Sequence, residues 1–323
     1  MSKLFDSFHR HIYYLRVSVT DRCNLRCIYC MPPGGISWMP HNEILSYEEI
    51  SAIVKMAAEL GFTKIRLTGG EPLVRSGLSK LIKMLSQIEG IDEVSMTTNG
   101  TLLKEHALEL KQAGLSRVNI SLDTLKADRF RHITRLGELK DSLKGIEAAR
   151  EANLEPVKIN VVVMRGINDD EVVDFAKLTR EKGWHIRFIE LMPFANVTEF
   201  VPSSEIRQSI VSLGTLEPCS PITGNGPTRN YRLPRAKGTI GFISPLSEPF
   251  CSACNRLRLT SNGQLCPCLL SDVGIDLKGP LRNNATAQEL KNLILKAIAS
   301  KPKHHHLADG IVPVKHNMSQ IGG

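Results

Sequence analysis

The sequence predicts an α/β fold: an incomplete (β/α)6 barrel followed by a smaller C-terminal domain. Three observations carry this reading. Short β-rich runs alternate regularly with helical patterns from Tyr14 to Met192, which calls for a parallel sheet with right-handed crossovers. Six such units fill roughly 190 residues, too few for a closed eightfold barrel plus the chain that remains. After Phe194 the pattern changes, and Pro218, Pro221, Gly224, Gly226, Pro227 and Pro234 crowd together. The expected division is therefore residues 1–194 and 195–323.

The strands are expected at Tyr14–Thr20, Lys64–Thr68, Glu93–Thr97, Arg117–Ser121, Val157–Val163 and His185–Leu191. The first helix, Tyr47–Leu60, is opened by Ser46 with Glu49 three residues on, a capping box, and closed by Gly61. Further helices are expected near Leu78–Ile88, Leu102–Ala113, Leu139–Ala152 and Glu171–Lys182, the last stopped by Gly183. Beyond the boundary, strands are expected at Thr239–Ser244 and Arg256–Thr260 and a helix at Gln288–Ser300.

The strands carry an unusual pattern. Buried parallel strands normally read as continuous apolar runs. Here polar residues recur at every second position: Arg16, Ser18, Thr20; Lys64, Arg66, Thr68; Ser95, Thr97, Asn99; Asn119, Ser121, Asp123; Lys158, Asn160. Period two puts each set on one face of its strand. A half-exposed strand explains any one of them, but five together predict a polar lumen that holds a ligand at the strand C-termini.

Composition sets the bounds. The chain has 323 residues, 42% of them hydrophobic and 23% charged, a globular composition. No apolar run approaches the ~18 residues of a membrane helix. The N-terminal stretch has no short apolar core before a small-residue cleavage site, so no secretory signal is expected. Lys and Arg exceed Asp and Glu by 41 to 33, a mild basic excess that suits an anionic ligand or simply a solvated surface.

Seven of the eight cysteines fall into two groups. Tight groups in a leaderless chain point to metal rather than disulfides. Directly after the first strand, Cys23, Cys27 and Cys30 form C-x3-C-x2-C. Three thiolates on a four-iron cube leave one iron open to a ligand. A zinc site completed by a distant residue is the competing explanation, although zinc sites usually use four ligands built from C-x2–4-C pairs. The second group, Cys251, Cys254 and Cys268, has the spacing C-x2-C-x13-C, which alone suits zinc or iron–sulfur. Cys266 is a possible fourth thiolate. Arg256 and Arg258, two apart on a strand, share a face. Such pairs are often solvated, but beside a metal loop they form a fork-shaped anion site suited to phosphate.

The first cysteine motif, on the loop after the first strand of a partial barrel, resembles that of the radical S-adenosylmethionine (SAM) enzymes. Gly69-Gly70-Glu71-Pro72 after the second strand is similar to their SAM-binding element. With both cysteine groups considered, the chain from Tyr14 to Gly322-Gly323 resembles the GTP 3′,8-cyclase family of molybdenum cofactor biosynthesis. The most specific stretches are YLRVSVTDRCNLRCIYCMP, KIRLTGGEPLVR, TTNG, NISLDTL, FIELMPF and FCSACNRLRLT.

The resemblance implies a radical SAM barrel with two [4Fe-4S] clusters. The first would be held by Cys23, Cys27 and Cys30, and the second by Cys251, Cys254 and Cys268, whose open iron binds the purine of GTP. It implies SAM contacts at Tyr29, Gly70, Ser121 and Met192, and GTP contacts at Arg16, Arg66, Thr97, Lys158, Arg256 and Arg258. Arg187 is a further candidate near the site, although its strand face is not legible from sequence. The implied reaction is a lyase-type cyclisation, in which a 5′-deoxyadenosyl radical takes hydrogen from ribose C3′ and the resulting carbon radical attacks guanine C8. A terminal Gly322-Gly323 that inserts into the active site, an electron donor, a homodimer and a cytoplasmic location complete the expectation, with no membrane or nucleic-acid partner.

Two rival functions are weighed. Another radical enzyme with an auxiliary cluster, such as a peptide modifier, would lack the Arg256/Arg258 pair and the basic strand set. An RNA-binding module would need a basic stripe with interleaved aromatics, and at 5% aromatic the chain has none. Cys219 is expected to be a free thiol, His304-His305-His306 a solvated segment, and Trp38 and Trp184 packing residues.

Overall fold

The computed structural model describes residues 4–193, 200–223, 226–305, 307 and 318–321. The first six strands are β1 (Tyr14–Ser18), β2 (Lys64–Thr68), β3 (Glu93–Thr98), β4 (Arg117–Ser121), β5 (Lys158–Val163) and β6 (His185–Glu190). Between them run helices α1 (Tyr47–Glu59), α2 (Leu78–Ser86), α3 (Leu103–Gln112), α4 (Ala127–Thr134), α5 (Leu139–Glu151) and α6 (Val172–Glu181). Ser46 caps α1 as the sequence requires: its side chain accepts from the Glu49 amide, and Glu49 accepts from the Ser46 amide. Helix α4 is unanticipated. It has only two large apolar residues facing inward, Phe130 and Ile133, and no side-chain cap, so neither the helical period nor a start signal marks it.

The chain past residue 200 supplies helix α7 (Ser203–Ile210) and strands β7 (Glu217–Pro218), β8 (Arg229–Arg232), β9 (Ile240–Ile243), β10 (Arg256–Leu259), β11 (Gln264–Cys266) and β12 (Ile275–Asp276), then helices α8 (Lys278–Arg282) and α9 (Ala287–Ala299). These strands continue the barrel sheet at both edges, in the order β12-β11-β10-β1-β2-β3-β4-β5-β6-β9-β8-β7. Strand β10 runs parallel to β1 and β9 parallel to β6, so eight consecutive strands are parallel. Antiparallel β11–β12 and β8–β7 finish the two ends.

The alternation predicted from sequence reads directly in the packing. Val17, Ile65, Leu67, Met96, Val118, Ile120, Ile159 and Val161 belong to one core cluster and are all at most 2% exposed. The residues between them belong to the other face of the sheet. Buried Glu190, at the end of β6, accepts hydrogen bonds from the amides of Ser203, Leu246 and Ser247. That carboxylate ties the last barrel strand to the segment that follows. Trp184 packs against the core cluster, whereas Trp38 is 39% exposed and is not a packing residue. Among the described residues no helix is long and apolar enough to cross a membrane.

Candidate active site

Strand register explains how the polar residues meet. Arg258, Arg16, Arg66, Ser95 and Arg117 are neighbours across five successive strands. Thr97, Asn119, Lys158 and His185 make the next row, and Ser121, Asn160 and Arg187 the one above. Two cavities occupy this face. Thr97, Asn160, Ile189 and Met192 line both, so they join in one lumen.

The first cavity is lined by Cys23, Cys27, Cys30, Tyr29, Gly69, Gly70, Ser121, Asp123 and Met192. The two glycines are required by the backbone. A Cβ on Gly70 would stand 2.2 Å from the Arg22 carbonyl, and one on Gly69 would stand 2.7 Å from that of Thr20. The Gly70 and Glu71 amides donate to those same carbonyls, Thr20 and Arg22, at 2.8 Å. The loop after β2 is thus laid directly against the start of the cysteine loop. Glu71, 1% exposed, fixes the third loop by accepting from Thr98 Oγ1 and the Asn99 amide at 2.7 Å. Tyr29 donates to Asp123 Oδ2 at 2.7 Å, which anchors the cysteine loop to the end of β4.

Burial pushes the Cys23 thiol up to about 12 and holds Cys27 well above its ordinary value, and neighbouring Cys30 adds to both effects. Neighbouring thiols of this kind do not ionise together without a cation among them. Three thiolates, each bound to a different iron of a four-iron cube, leave the fourth iron open, and this all-sulfur donor set fits such a cluster.

The second cavity is lined by eight cations, Arg16, Lys64, Arg66, Arg117, Arg187, Arg256, Arg258 and Lys301, and one carboxylate, Glu93. Glu93 is already engaged by Arg117 at 2.5 Å. Burial, and then Arg258 and Arg66 among its neighbours, push Arg16 well below its usual range. Burial also lowers Tyr14's acidity, but Arg66, Arg16 and Arg256 outweigh it and bring the phenol below its ordinary value. Buried guanidinium nitrogens of Arg66, Arg117 and Arg256 have no hydrogen-bond partner among the described residues. Such a lumen is built to receive a polyanion. Cys251, Cys254 and Cys268 line the same cavity, and Cys266 does not. Burial raises the Cys254 thiol, but Arg256 and Lys301 outweigh it and hold the thiol below its ordinary value.

Sequence-derived candidates thus come together in two sets. Arg187, undecided from sequence, lines the second cavity. Lys158 lies just outside the lining and donates to Thr223 Oγ1 at 2.7 Å and to its carbonyl at 2.9 Å. Ser95 of the polar face is spent on the Ile65 carbonyl. Sequence reasoning passed over Arg117, which the period-two rule puts in line with Asn119 and Ser121. It also passed over Lys301 and Met318, which carry no local signal. Met318 lines the first cavity, while Gly322 and Gly323 lie outside the described residues. His305 is corrected: it is half-buried, lines the second cavity and bonds to the Pro245 carbonyl at 2.8 Å. Cys219 is half-buried and free.

Residues 17–179 match the model of the Radical SAM superfamily, and residues 184–307 match Molybdenum Cofactor Synthesis C. Among solved structures, Streptococcus suis SuiB superposes with a TM-score of 0.61 at 14% identity, over 91% of this chain and 68% of that one. Its form bound to S-adenosylmethionine gives 0.60 over 87% and 68%. Fold and sequence together define a radical SAM protein. The curated GTP 3′,8-cyclase of Desulforamulus reducens is 52% identical over 326 residues, covering 99% of this chain and 100% of the relative. That of Pelotomaculum thermopropionicum is also 52% identical, over 98% and 99%. The chain belongs to the GTP 3′,8-cyclase family.

Proposed function

We propose that this chain is a GTP 3′,8-cyclase, a lyase that converts GTP to (8S)-3′,8-cyclo-7,8-dihydroguanosine 5′-triphosphate in the first step of molybdenum cofactor biosynthesis. It uses SAM and two [4Fe-4S] clusters. The observation that carries the reading is the single lumen, with three cysteines and a Gly-Gly loop at one end and eight cations with three more cysteines at the other.

The family resemblance and the lining support a division of labour. Cys23, Cys27 and Cys30 hold the first cluster, with Tyr29, Gly70, Ser121 and Met192 against SAM. Cys251, Cys254 and Cys268 hold the second, and Arg16, Arg66, Thr97, Arg187, Arg256 and Arg258 receive GTP, with Lys158 behind them. When bound, the cofactors would supply radical chemistry for hydrogen abstraction from the ribose. The chain's own groups position and shield. The arginines offset the triphosphate charge in a closed space where water cannot. The shared residues Thr97, Asn160, Ile189 and Met192 mark where the two ligands meet, and holding reacting groups at such a junction is the protein's main lever on cofactor chemistry. The division into residues 1–194 and 195–323, a cytoplasmic homodimer and an external electron donor belong to the same reading.

Anaerobic reconstitution should load about eight irons per chain. SAM, a reductant and GTP should then give equal amounts of 5′-deoxyadenosine and cyclised product by mass spectrometry. A reconstituted chain that cleaves SAM but neither binds nor cyclises GTP would replace this reading with another radical SAM activity.

A further inference from the structure

Lys301 is 3% exposed, and a buried ammonium is costly unless charge and hydrogen bonds offset it. Its Nζ donates to the Arg256 carbonyl at 2.9 Å and to the Pro267 carbonyl at 2.7 Å. Among the described residues no carboxylate pairs with it, although sixteen ion pairs are formed elsewhere. It lines the same cavity as Cys254 and Cys268.

The position is as telling as the charge. Arg256 follows Cys254 by two residues and Pro267 precedes Cys268 by one, so one ammonium bridges the two segments that bring those cysteines together. The third cysteine is tied to the same stretch of chain. Arg10, 6% exposed, donates from Nη1 to the Cys251 carbonyl at 2.9 Å and from Nη2 to the Pro302 carbonyl at 2.8 Å.

We propose that Lys301 is a positioning residue for the second cluster, a cationic clamp that sets the spacing of its ligand segments and raises its reduction potential. The proposal rests on the reading that Cys251, Cys254 and Cys268 hold that cluster. Reduction adds a negative charge to the cluster, so a fixed positive charge beside its sulfurs favours the reduced state.

The test compares wild type, Lys301→Met and Lys301→Arg, each reconstituted anaerobically as the full chain. Iron content, electron paramagnetic resonance redox titration and melting of the iron-free chain are measured. Lys301→Met should shift the reduction equilibrium of the second cluster by about tenfold toward the oxidised form, about 59 mV for one electron. The first cluster should be unmoved, and Lys301→Arg should restore most of the shift. Selective loss of second-cluster iron in Lys301→Met, retained in Lys301→Arg, would also support the clamp. An unchanged potential and iron content in Lys301→Met would overturn it. So would loss of the cluster in both variants with a matching fall in melting temperature, the mark of a merely structural lysine. A wild-type chain that never binds a second cluster would instead refute the cysteine assignment, and the clamp with it.

Discussion

Arg258 and Cys266 face each other across the β10–β11 ladder, and their roles diverge sharply. Arg258 is 6% exposed and lines the basic cavity. Burial, and then neighbouring Arg256, lower its guanidinium to about 10, and the Cys268 thiol opposes them. Charge-assisted bonds of this kind are worth roughly 1.5–3 kcal/mol. Arg258→Ala should therefore weaken GTP binding about ten- to a hundredfold while uncoupled SAM cleavage persists, as equilibrium binding and deoxyadenosine assays would report. Unaltered GTP affinity would remove Arg258 from the GTP-binding set. Cys266 is buried but stays out of the cavity that Cys268 lines. Cys268→Ser should lose the second cluster and cyclisation, and Cys266→Ser should keep both. Iron analysis on each variant decides, and the reverse pattern would exchange the two cysteines.

At the scale of elements, two loops with strong sequence signals are held by different forces. The α1 capping box satisfies two part-buried helix-end groups. Ser46→Ala should cost about 1 kcal/mol and lower the melting temperature by a few degrees with activity retained. Gly70 instead meets backbone. Its missing side chain leaves room for the Arg22 carbonyl, which cannot swing aside as a flexible side chain would. Gly70→Ala should displace the cysteine loop, giving a larger loss of stability and loss of SAM binding by calorimetry. A variant as stable as wild type that binds SAM normally would show that the loop has slack which the 2.2 Å contact denies. The elements that sequence did not reveal share a cause. Helix α4 and strands β7, β8, β11 and β12 are short. Segments of two to eight residues carry too few side chains to establish a period.

The whole molecule concentrates positive charge in one cavity on one face of its sheet. Burial, then Arg187, Arg117 and Arg66, depress Lys158 to about 6. A lysine so lowered is neutral near pH 7.5 in the free enzyme and charged in the unfolded chain. Its contribution to stability is present above its ordinary value and lost as pH falls through about 6. A triphosphate in the lumen reverses the balance by favouring the ammonium. Binding of GTP should then take up a proton between about pH 7 and 9, and affinity should rise by up to about tenfold per unit as pH falls across that window. Calorimetry in two buffers of different ionisation heat checks this. Proton uptake absent from wild type, or undiminished in Lys158→Met, would refute it.

Much of the chemistry was legible in the sequence because it is local. Cys23, Cys27 and Cys30 share one loop, and period two alone puts Arg16, Arg66, Thr97, Asn119 and Ser121 on common strand faces. The six βα units follow from hydrophobic periodicity, which acts within a dozen residues. Only the tertiary structure decided what depends on contacts between distant segments. The strands past residue 200 join both edges of the barrel sheet instead of standing apart, because an unpaired edge exposes backbone groups that must find partners. His305 and Lys301 enter the basic lumen from the far end of the chain. A lysine at position 301 has no periodicity to announce it. Its meaning comes from carbonyls that stand 45 and 34 residues away in sequence and less than 3 Å away in space.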